Sequence, residues 1–310
     1  MILTLTLNPA VDQNVQADRL VFEDRAYILS TNETPGGRGI NASMVLAAFG
    51  APTKAITAIG GKNGKRFAEL LHGEGFPVEY VKIRNNVRGN LTIVDKQGLA
   101  VKLNERGPHL HASELAKFEK AVAENLPGAA WLMICGSLPP GVPPDFYARI
   151  IRQAKQQGVA TLLDTDGDAL LHGLEAGPTA VAPNQAEAER LLNRALITRQ
   201  HFQDAARRIQ AMGADYVVLS LGSRGAVGAA DSLLVESVPP LVDAVCPIGA
   251  GDALAAAFVW ATASGKPFAD AVRWGVAAGT ASATLPGISF ANLAQAEQIH
   301  SRVELRVLSV

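Results

Sequence analysis

The sequence has few cysteines, few aromatic residues and almost no net charge. Only two of its 310 residues are cysteine, and Cys135 and Cys246 lie far apart in apolar surroundings. We expect two buried free thiols, because disulfide frameworks and metal clusters need several closely spaced cysteines. The formal net charge is −1 with both signs spread along the chain, which gives no basic surface for nucleic acid. The expected partners are therefore small molecules and not nucleic acid.

Long hydrophobic runs are also absent. The most apolar late stretch, Ala253–Ala263, is about half the ~20 residues that a membrane-spanning helix needs. Met1 is followed directly by the alternating run Ile2–Leu7, which predicts a strand and lacks the charged n-region and the cleavage site of a signal peptide. We therefore expect no membrane partner and a cytoplasmic location.

Short apolar runs alternate with amphipathic segments through most of the chain. Thr53–Ile59 precedes a helical pattern at Arg66–His72, and Trp131–Cys135 precedes another at Phe146–Gln156. This alternation is typical of βαβ units around a mostly parallel sheet. We predict one α/β domain over residues 1–310, with no linker or internal repeat.

Two stretches interrupt this alternation. Residues 13–31 and 87–106 carry strand patterns without intervening helices, including alternating apolar residues at Leu91, Ile93 and Val101. Such strands can pair locally without a crossover helix. We expect them to form a small antiparallel sheet that projects from the main layer as a lid.

Two glycines precede an apolar helical pattern in the segment Pro247–Leu254. Glycines allow backbone N–H groups to turn toward a ligand, and a helix N-terminus adds about half a positive charge, so Gly249, Ala250 and Gly251 can form an anion hole. Asp252 falls in the first helical turn, where a carboxylate is also a good cap. From spacing alone, capping and a chemical role for Asp252 are equally open.

Two other classes of phosphate-binding protein do not fit this sequence. A dinucleotide fold needs a third glycine where Leu254 stands, and Asp252 would face the pyrophosphate. The segment Gly60–Lys65 lacks both the spacing and the hydroxyl residue of a P-loop. We therefore expect neither a Rossmann dehydrogenase nor a P-loop enzyme.

A second glycine-rich segment, Pro35–Ala42, also precedes a helical pattern. Its glycines allow a polyol to approach the backbone closely, and Asn41 can donate and accept hydrogen bonds with hydroxyl groups. Taken alone, the segment is also typical of a flexible turn.

Three further motifs accompany these two glycine segments: Asn8-Pro9-Ala10-Val11-Asp12, Gly136-Ser137-Leu138-Pro139-Pro140-Gly141 and Pro183-Asn184-Gln185-Ala186-Glu187. In their order and spacing, the five motifs resemble the ribokinase-like sugar kinases of the phosphofructokinase B type over essentially the whole chain. They look most similar to the branch of 1-phosphofructokinases and tagatose-6-phosphate kinases. The resemblance implies a three-layer αβα sandwich with a mostly parallel central sheet and a small β-sheet lid.

The resemblance also implies roles for individual residues. Asp252 is expected to be the general base that removes the proton of the attacking sugar hydroxyl, beside an anion hole formed by Gly249, Ala250 and Gly251. This arrangement suits phosphoryl transfer, in which most of the catalysis is positioning and electrostatic stabilisation.

Two binding sets follow from the same resemblance. The expected substrate-binding residues are Asp12, Gly36, Gly37, Asn41, Arg88 and Ser137. The expected nucleotide-binding residues are Asn184, Glu187, Ser220 and Gly222. Glu187 is further expected to contact Mg²⁺ through water. The alternatives are an Asx turn at Asp12, a first-turn helix charge at Glu187 and a solvated surface charge at Arg88.

The implied cofactors are ATP and Mg²⁺, with K⁺ as a further candidate. Arg88 and Ser137 match phosphate-contacting positions, so the expected reaction converts a ketohexose phosphate, such as fructose 1-phosphate or tagatose 6-phosphate, to the bisphosphate. One alternative is a kinase of fructose 6-phosphate, or of an unphosphorylated sugar or nucleoside. Another is a non-catalytic sugar-phosphate-binding regulatory protein, because Arg38 stands where the family motif usually has lysine, and Cys246 and Ile248 also depart from the usual motif. A homodimer through the open strand edges of the lid is also expected.

Overall fold

Strands and helices alternate through most of the chain in the computed structural model, which describes residues 1–21 and 23–308. The strands are β1 Ile2–Thr6, β2 Ala10–Ala17, β3 Ile28–Gly36, β4 Thr53–Ile59, β5 Val78–Lys82, β6 Arg88–Asp95, β7 Ala100–Asn104, β8 Trp131–Cys135, β9 Ala160–Asp164, β10 Ala180–Val181, β11 Tyr216–Ser220, β12 Ala226–Ala230, β13 Leu233–Val238 and β14 Glu304–Leu308. The helices are α1 Arg38–Ala48, α2 Gly61–Leu71, α3 Ala112–Asn125, α4 Phe146–Gln156, α5 Gly167–Glu175, α6 Gln185–Leu192, α7 Arg199–Ala211, α8 Ala250–Ala263, α9 Phe268–Ala283 and α10 Leu293–His300.

A ten-stranded sheet forms the centre of the molecule, in the order β14-β13-β12-β11-β10-β9-β8-β1-β4-β5. The seven strands from β11 to β5 in this order run parallel to one another. The strands β12, β13 and β14 add an antiparallel edge. Strands such as β1 and β8 are buried on both faces, as expected when crossover helices cover both sides of a parallel sheet. The predicted mostly parallel sheet is confirmed.

Helices cover both faces of this sheet. On one face, α3 and α4 contribute Phe118 and Ile151 to a core that also contains Leu5 of β1. On the other face, α1 and α8 contribute Leu46 and Phe258 to a second core. Two cores separated by one sheet make the three-layer αβα sandwich that the sequence predicted.

The polar motifs follow the carboxyl ends of the parallel strands. Asn8 comes two residues after β1, Gly136 directly after β8, and Asp164 is the last residue of β9. The carboxyl ends of parallel strands meet at one edge of a sheet, where open α/β proteins bind their ligands. The fold therefore gathers these motifs at a single cleft.

A second sheet of four strands stands apart, in the order β3-β2-β6-β7. The expectation of an antiparallel sheet was wrong for its central pair, because β2 and β6 run parallel while β2–β3 and β6–β7 run antiparallel. The parallel pair arises because α1, β4, α2 and β5 lie between β2 and β6 in the chain and supply a crossover connection. The first predicted span, 13–31, was also too narrow, since its two strands run from Ala10 to Gly36. Position 22 within that span lies outside the described residues.

Both cysteines are free thiols, as expected, but the expected burial is confirmed for Cys135 and only partly met by Cys246. Cys135 is a buried free thiol and Cys246 is a half-buried one. Within the described residues, no helix is both long enough and apolar enough to cross a membrane.

Candidate active site

The turn before α8 has the geometry of an anion-binding loop. Gly249 is in the left-handed region with φ 82°, and a Cβ added there would lie 2.8 Å from Phe290 Cε1, so only glycine fits. The N–H of Ala250 donates to the carbonyl of Pro247 at 3.2 Å. Among the described residues, the N–H groups of Gly249, Gly251 and Asp252 have no such acceptor. Of the three N–H groups predicted for the anion hole, that of Ala250 therefore already has a partner within the loop, whereas those of Gly249 and Gly251 are open.

Asp252 lies in the first turn of α8 and does not cap its own helix. Its Oδ2 accepts a hydrogen bond from Nδ2 of Asn41 at 2.6 Å, which joins α8 to α1. The pKa of Asp252 is raised to about 7, chiefly by burial and then by the nearby Asp164 carboxylate, while Asn41 and Arg38 act in the opposite direction and lower it. The capping interpretation of Asp252 is wrong, because the N-cap of α8 is Gly249. A carboxylate with a pKa near 7 can accept a proton at neutral pH.

Arg38, the first residue of α1, binds three carboxylates. Its Nη1 lies 2.8 Å from Asp164 Oδ1, and its Nη2 lies 2.9 Å from Glu187 Oε1 and 3.4 Å from Asp166 Oδ2. Asp164 and Glu187 are almost fully buried. The negative charge of Asp164 does most to raise the pKa of Arg38, so the guanidinium stays charged.

Sequence reasoning missed Asp164 and Asp166. The signal that would have found them is a pair of carboxylates directly after the apolar run Ala160–Leu163, at the end of a predicted strand. Their position places two negative charges at the carboxyl edge of the sheet, beside the anion loop.

The predicted nucleotide-binding residues lie together at the ends of β10 and β11. Asn184 caps α6 and forms a reciprocal pair with Glu187: Asn184 Oδ1 accepts from the Glu187 N–H at 2.9 Å, and Glu187 Oε2 accepts from the Asn184 N–H at 2.9 Å. Ser220 forms an isolated parallel bridge with Asn184. Gly222 follows with φ 61° and open space around its Cα. Glu187 is thus part of a capping box and a partner of Arg38 as well, so a lone first-turn charge does not describe it.

The carboxylates of this cleft suit Mg²⁺ that arrives on a nucleotide. Within the described residues, no group of three or more His, Cys, Asp or Glu side chains is arranged to hold a metal ion. Mg²⁺ commonly keeps several waters and binds through one or two carboxylates together with substrate phosphates. The oxygen donors of Glu187 and Asp164 fit this mode.

The predicted substrate-binding residues lie where the small sheet joins the large one. Asp12 Oδ1 accepts a hydrogen bond from Asn90 Nδ2 at 2.7 Å. A Cβ on Gly36 would lie 2.1 Å from Asp12 Oδ2, so the glycine makes room for this carboxylate. Burial raises the pKa of Asp12, and Asn90 and Arg88 lower it. Sequence reasoning missed Asn90, whose alternation with Leu91 and Ile93 in β6 marks it as facing the opposite side of the sheet.

Arg88 is half-buried beside Asp12. Its Nη1 donates to the carbonyl of Glu105 at 3.0 Å. Its Nε is buried without a hydrogen-bond partner among the described residues, and burial lowers the pKa of Arg88. The interpretation of Arg88 as a solvated surface charge is therefore wrong.

Ser137 and Gly37 both lie beside the end of β1 and the loop that follows it. Asn8 Nδ2 donates to Ser137 Oγ at 3.2 Å and to the carbonyl of Arg106 at 3.0 Å. Gly37 has φ 123°, and a Cβ there would lie 2.9 Å from Thr6 Cγ2. The loops after β1 and β8 are thus held together beside the glycine turn that leads into α1.

Comparison with known proteins identifies a family. The family model described as pfkB family carbohydrate kinase matches residues 6–295. The chain is 33% identical over 303 residues to the ATP-dependent 6-phosphofructokinase isozyme 2 of Escherichia coli, covering 97% of this chain and 98% of that protein. It is 31% identical over 284 residues to the 1-phosphofructokinase of Borreliella burgdorferi, covering 91% and 92% of the two chains.

Solved structures agree with this result. The Escherichia coli phosphofructokinase-2 in complex with potassium has a TM-score of 0.91 at 32% identity, covering 97% of this chain and 98% of that one. The Arabidopsis thaliana ribokinase complexed with ribose and ATP has a TM-score of 0.78 at 21% identity, covering 96% and 98%, and shows the fold alone. The ribokinase-like fold, with an anion loop beside a carboxylate, defines the class as carbohydrate kinases. The chain belongs to the pfkB family of carbohydrate kinases.

We expect Arg38→Leu to lower the free energy of unfolding by about 3 kcal/mol, because it leaves the buried carboxylates of Asp164 and Glu187 without their cation. The matched control is Arg66→Leu. Arg66 also contacts two carboxylates, at 2.7 and 3.1 Å, but at an exposed site, so its loss should lower the free energy of unfolding much less than the loss of Arg38. Urea denaturation followed by tryptophan fluorescence measures both. Equal effects of the two substitutions would contradict the assignment.

Proposed function

We propose that this kinase uses ATP and Mg²⁺ to phosphorylate a ketohexose phosphate to the bisphosphate, with Asp252 as the general base. The observation that carries the proposal is the position of Asp252, in the first turn of α8 next to the open N–H groups of Gly249 and Gly251. With both groups on one helix turn, the base can take the proton from the attacking oxygen while the anion hole stabilises the phosphoryl group that this oxygen attacks. The acceptor pocket at Asp12 and Arg88 adjoins this turn through α1.

The proposed mechanism depends mainly on positioning and charge. The hydroxyl oxygen of the acceptor attacks the γ-phosphorus while its proton passes to Asp252, and the bond from phosphorus to the bridging oxygen of the nucleotide breaks to release ADP. The open N–H groups of the loop and the positive end of α8 stabilise the charge on the transferred phosphoryl group. When bound, Mg²⁺ supplies further neutralisation of the phosphate oxygens.

The nucleotide is proposed to lie along Asn184, Glu187, Ser220 and Gly222. These residues border the same cleft as Arg38, and Gly222 leaves open space at its Cα. Glu187 would reach Mg²⁺ through water, because its two oxygens already bind Arg38 and the Asn184 backbone. We also propose K⁺ as an additional ion to be tested, on the basis of the potassium complex of the Escherichia coli relative.

A phosphorylated acceptor is favoured by the charge of the pocket. Arg88 has a buried Nε without a hydrogen-bond partner among the described residues, and a guanidinium can place two N–H groups on a phosphate. The two curated relatives are named for fructose 6-phosphate and fructose 1-phosphate kinase activity. Fructose 1-phosphate, fructose 6-phosphate and tagatose 6-phosphate are therefore the proposed candidates. A non-catalytic role is disfavoured because Asp252 and its anion loop are both present.

We expect Asp252→Asn to lower kcat by roughly 10²–10⁴, because it removes the general base. The pKa of about 7 predicts a second result for the native enzyme. Only the ionised carboxylate accepts the proton, so kcat should fall as the pH drops below about 7 and reach a plateau above it. Steady-state ADP release across pH 5.5–9 measures both quantities.

The matched control is Asp270→Asn. Asp270 is also a first-turn aspartate, on α9, where it contacts His300, and its loss should leave kcat and the pH profile unchanged. Near-normal turnover by Asp252→Asn, in a folded protein that still binds ATP, would overturn the proposed role.

We expect Arg88→Gln to raise the KM for the sugar phosphate by about tenfold or more, since it removes a charge-assisted contact with the acceptor phosphate. The KM for ATP should change little. A panel of fructose 1-phosphate, tagatose 6-phosphate, fructose 6-phosphate, ribose and adenosine identifies the acceptor. Exclusive use of ribose or adenosine, with no effect of Arg88→Gln, would reject the sugar-phosphate proposal.

We further propose a homodimer through the small sheet, which would act as a lid over the acceptor. The face of this sheet opposite Asp12 carries Leu91, Leu103, Ile93 and Val101 in register. Leu103 is 56% exposed, and an exposed apolar sheet face is a common site of association. The open edges of β3 and β7 can pair or be covered in the same way.

Light scattering at micromolar concentration should give the mass of a dimer or of a larger even-numbered assembly. Leu103→Glu should shift the protein toward the monomer, because it places a charge on the apolar face. Ile197→Glu is the control, since Ile197 is 76% exposed but lies between α6 and α7, away from the small sheet. A native monomer would contradict the dimer, as would dissociation by both variants alike.

A further inference from the structure

We propose that Asn41 is a positioning residue for the base: its amide nitrogen holds Asp252 Oδ2, so that Asp252 Oδ1 is the oxygen that receives the proton. The inference rests on the proposed role of Asp252. It gives Asn41 a second task beyond the contact with sugar hydroxyls that the sequence predicted.

The geometry of the pair supports this role. Asn41 is 7% exposed and lies in the first turn of α1. Its Nδ2 lies 2.6 Å from Asp252 Oδ2. Among the described residues, this is the one side-chain hydrogen bond that the Asp252 carboxylate receives. The contact therefore fixes the rotation of the carboxylate and leaves Oδ1 directed elsewhere.

The other end of the amide is available to a bound sugar. Asn41 Oδ1 is buried and has no hydrogen-bond partner among the described residues. Leaving a buried hydrogen-bond acceptor without a partner is unfavourable, and a sugar hydroxyl would remove this cost by donating to Asn41 Oδ1. Asn41 follows the glycine turn at Gly36 and Gly37, and Gly36 contacts Asp12. The same side chain thus contacts the base with one end and leaves the other available to a bound sugar.

With the carboxylate in this orientation, each hydroxyl of the acceptor has a defined partner. The attacking hydroxyl forms a bond from its oxygen to phosphorus and gives its one proton to Asp252 Oδ1. A neighbouring hydroxyl of the same sugar donates to Asn41 Oδ1. One rigid amide therefore sets the distance between the acceptor and the base.

The charges that face Asp252 come from three other elements. Asp164 at the end of β9 and Glu187 in α6 both raise the pKa of Asp252, while Arg38 in α1 lowers it. Asn41 also lowers it by donating to the ionised form. Loss of Asn41 should therefore raise the pKa of Asp252 and move the acid limb of the pH profile toward higher pH.

The test is Asn41→Ala, with kcat measured from pH 5.5 to 9.5. We expect kcat at pH 7 to fall roughly tenfold and to recover in part above pH 8, because the base is less often ionised and its orientation is looser. The KM for the acceptor should also rise, while the KM for ATP stays within about twofold. Thermal melting shows whether the variant is folded.

Asn125→Ala is the matched control. Asn125 also donates its Nδ2 to a carboxylate, Glu79 Oε2 at 2.8 Å, but on α3, remote from the cleft. It should lower the melting temperature without moving the acid limb. Asn41→Ser provides a second variant in case Asn41→Ala folds poorly. Its hydroxyl is a shorter donor, so it should move the acid limb less far than Asn41→Ala does.

The outcomes separate this inference from the proposed function. If Asp252→Asn is inactive but Asn41→Ala keeps the native acid limb and acceptor KM, the positioning role is overturned and the base remains. If Asp252→Asn turns over normally, the proposed base itself fails. A shift of the acid limb in Asn41→Ala and not in Asn125→Ala supports the inference.

Discussion

The contact between Arg38 and three carboxylates is the interaction on which the cleft depends. It joins the start of α1, the end of β9, the loop before α5 and the first turn of α6. Without a cation, Asp164 and Glu187 would be two negative charges almost buried at one sheet edge, which is costly unless they are paired. With it, the start of α1 is held at fixed distances from carboxylates that lie 126 to 149 positions later in the chain. The same guanidinium also moderates the pKa of Asp252, so structural and chemical roles fall on one residue.

The planar guanidinium of arginine is important at this position. Lysine at Arg38 would offer a single ammonium group, whereas arginine donates from both Nη atoms to acceptors on different elements. Three of its five N–H donors are used within the described residues. In the sequence analysis, arginine in place of the usual lysine was a reason to consider a non-catalytic protein. The three carboxylates that surround Arg38 explain this departure.

Much of this arrangement could be predicted from the sequence, and the exceptions have physical causes. The parallel sheet followed from apolar runs such as Trp131–Cys135, whose burial on both faces leaves a clear pattern. The direction of β6 against β2 could not be read, because an amphipathic strand has the same alternation in parallel and antiparallel pairs. Asp164 and Asp166 were missed for a related reason: a carboxylate after a strand looks like any loop residue until Arg38 is placed beside it. The contact between Asn41 and Asp252 joins residues 211 positions apart, and no local pattern contains it.

In the proposed function, chemistry and acceptor choice depend on different parts of the fold. Asp252, the anion loop and Glu187 lie on the large sheet and its helices, where packing on both faces fixes their positions. Asp12, Asn90 and Arg88 lie on a four-stranded sheet with an exposed outer face, which can vary and move with less effect on the core. An acceptor can therefore change through the small sheet while the phosphoryl-transfer apparatus stays the same. Asn41 and Arg38 in α1 lie between the two parts, so the proposed function makes this helix the link between acceptor binding and the base.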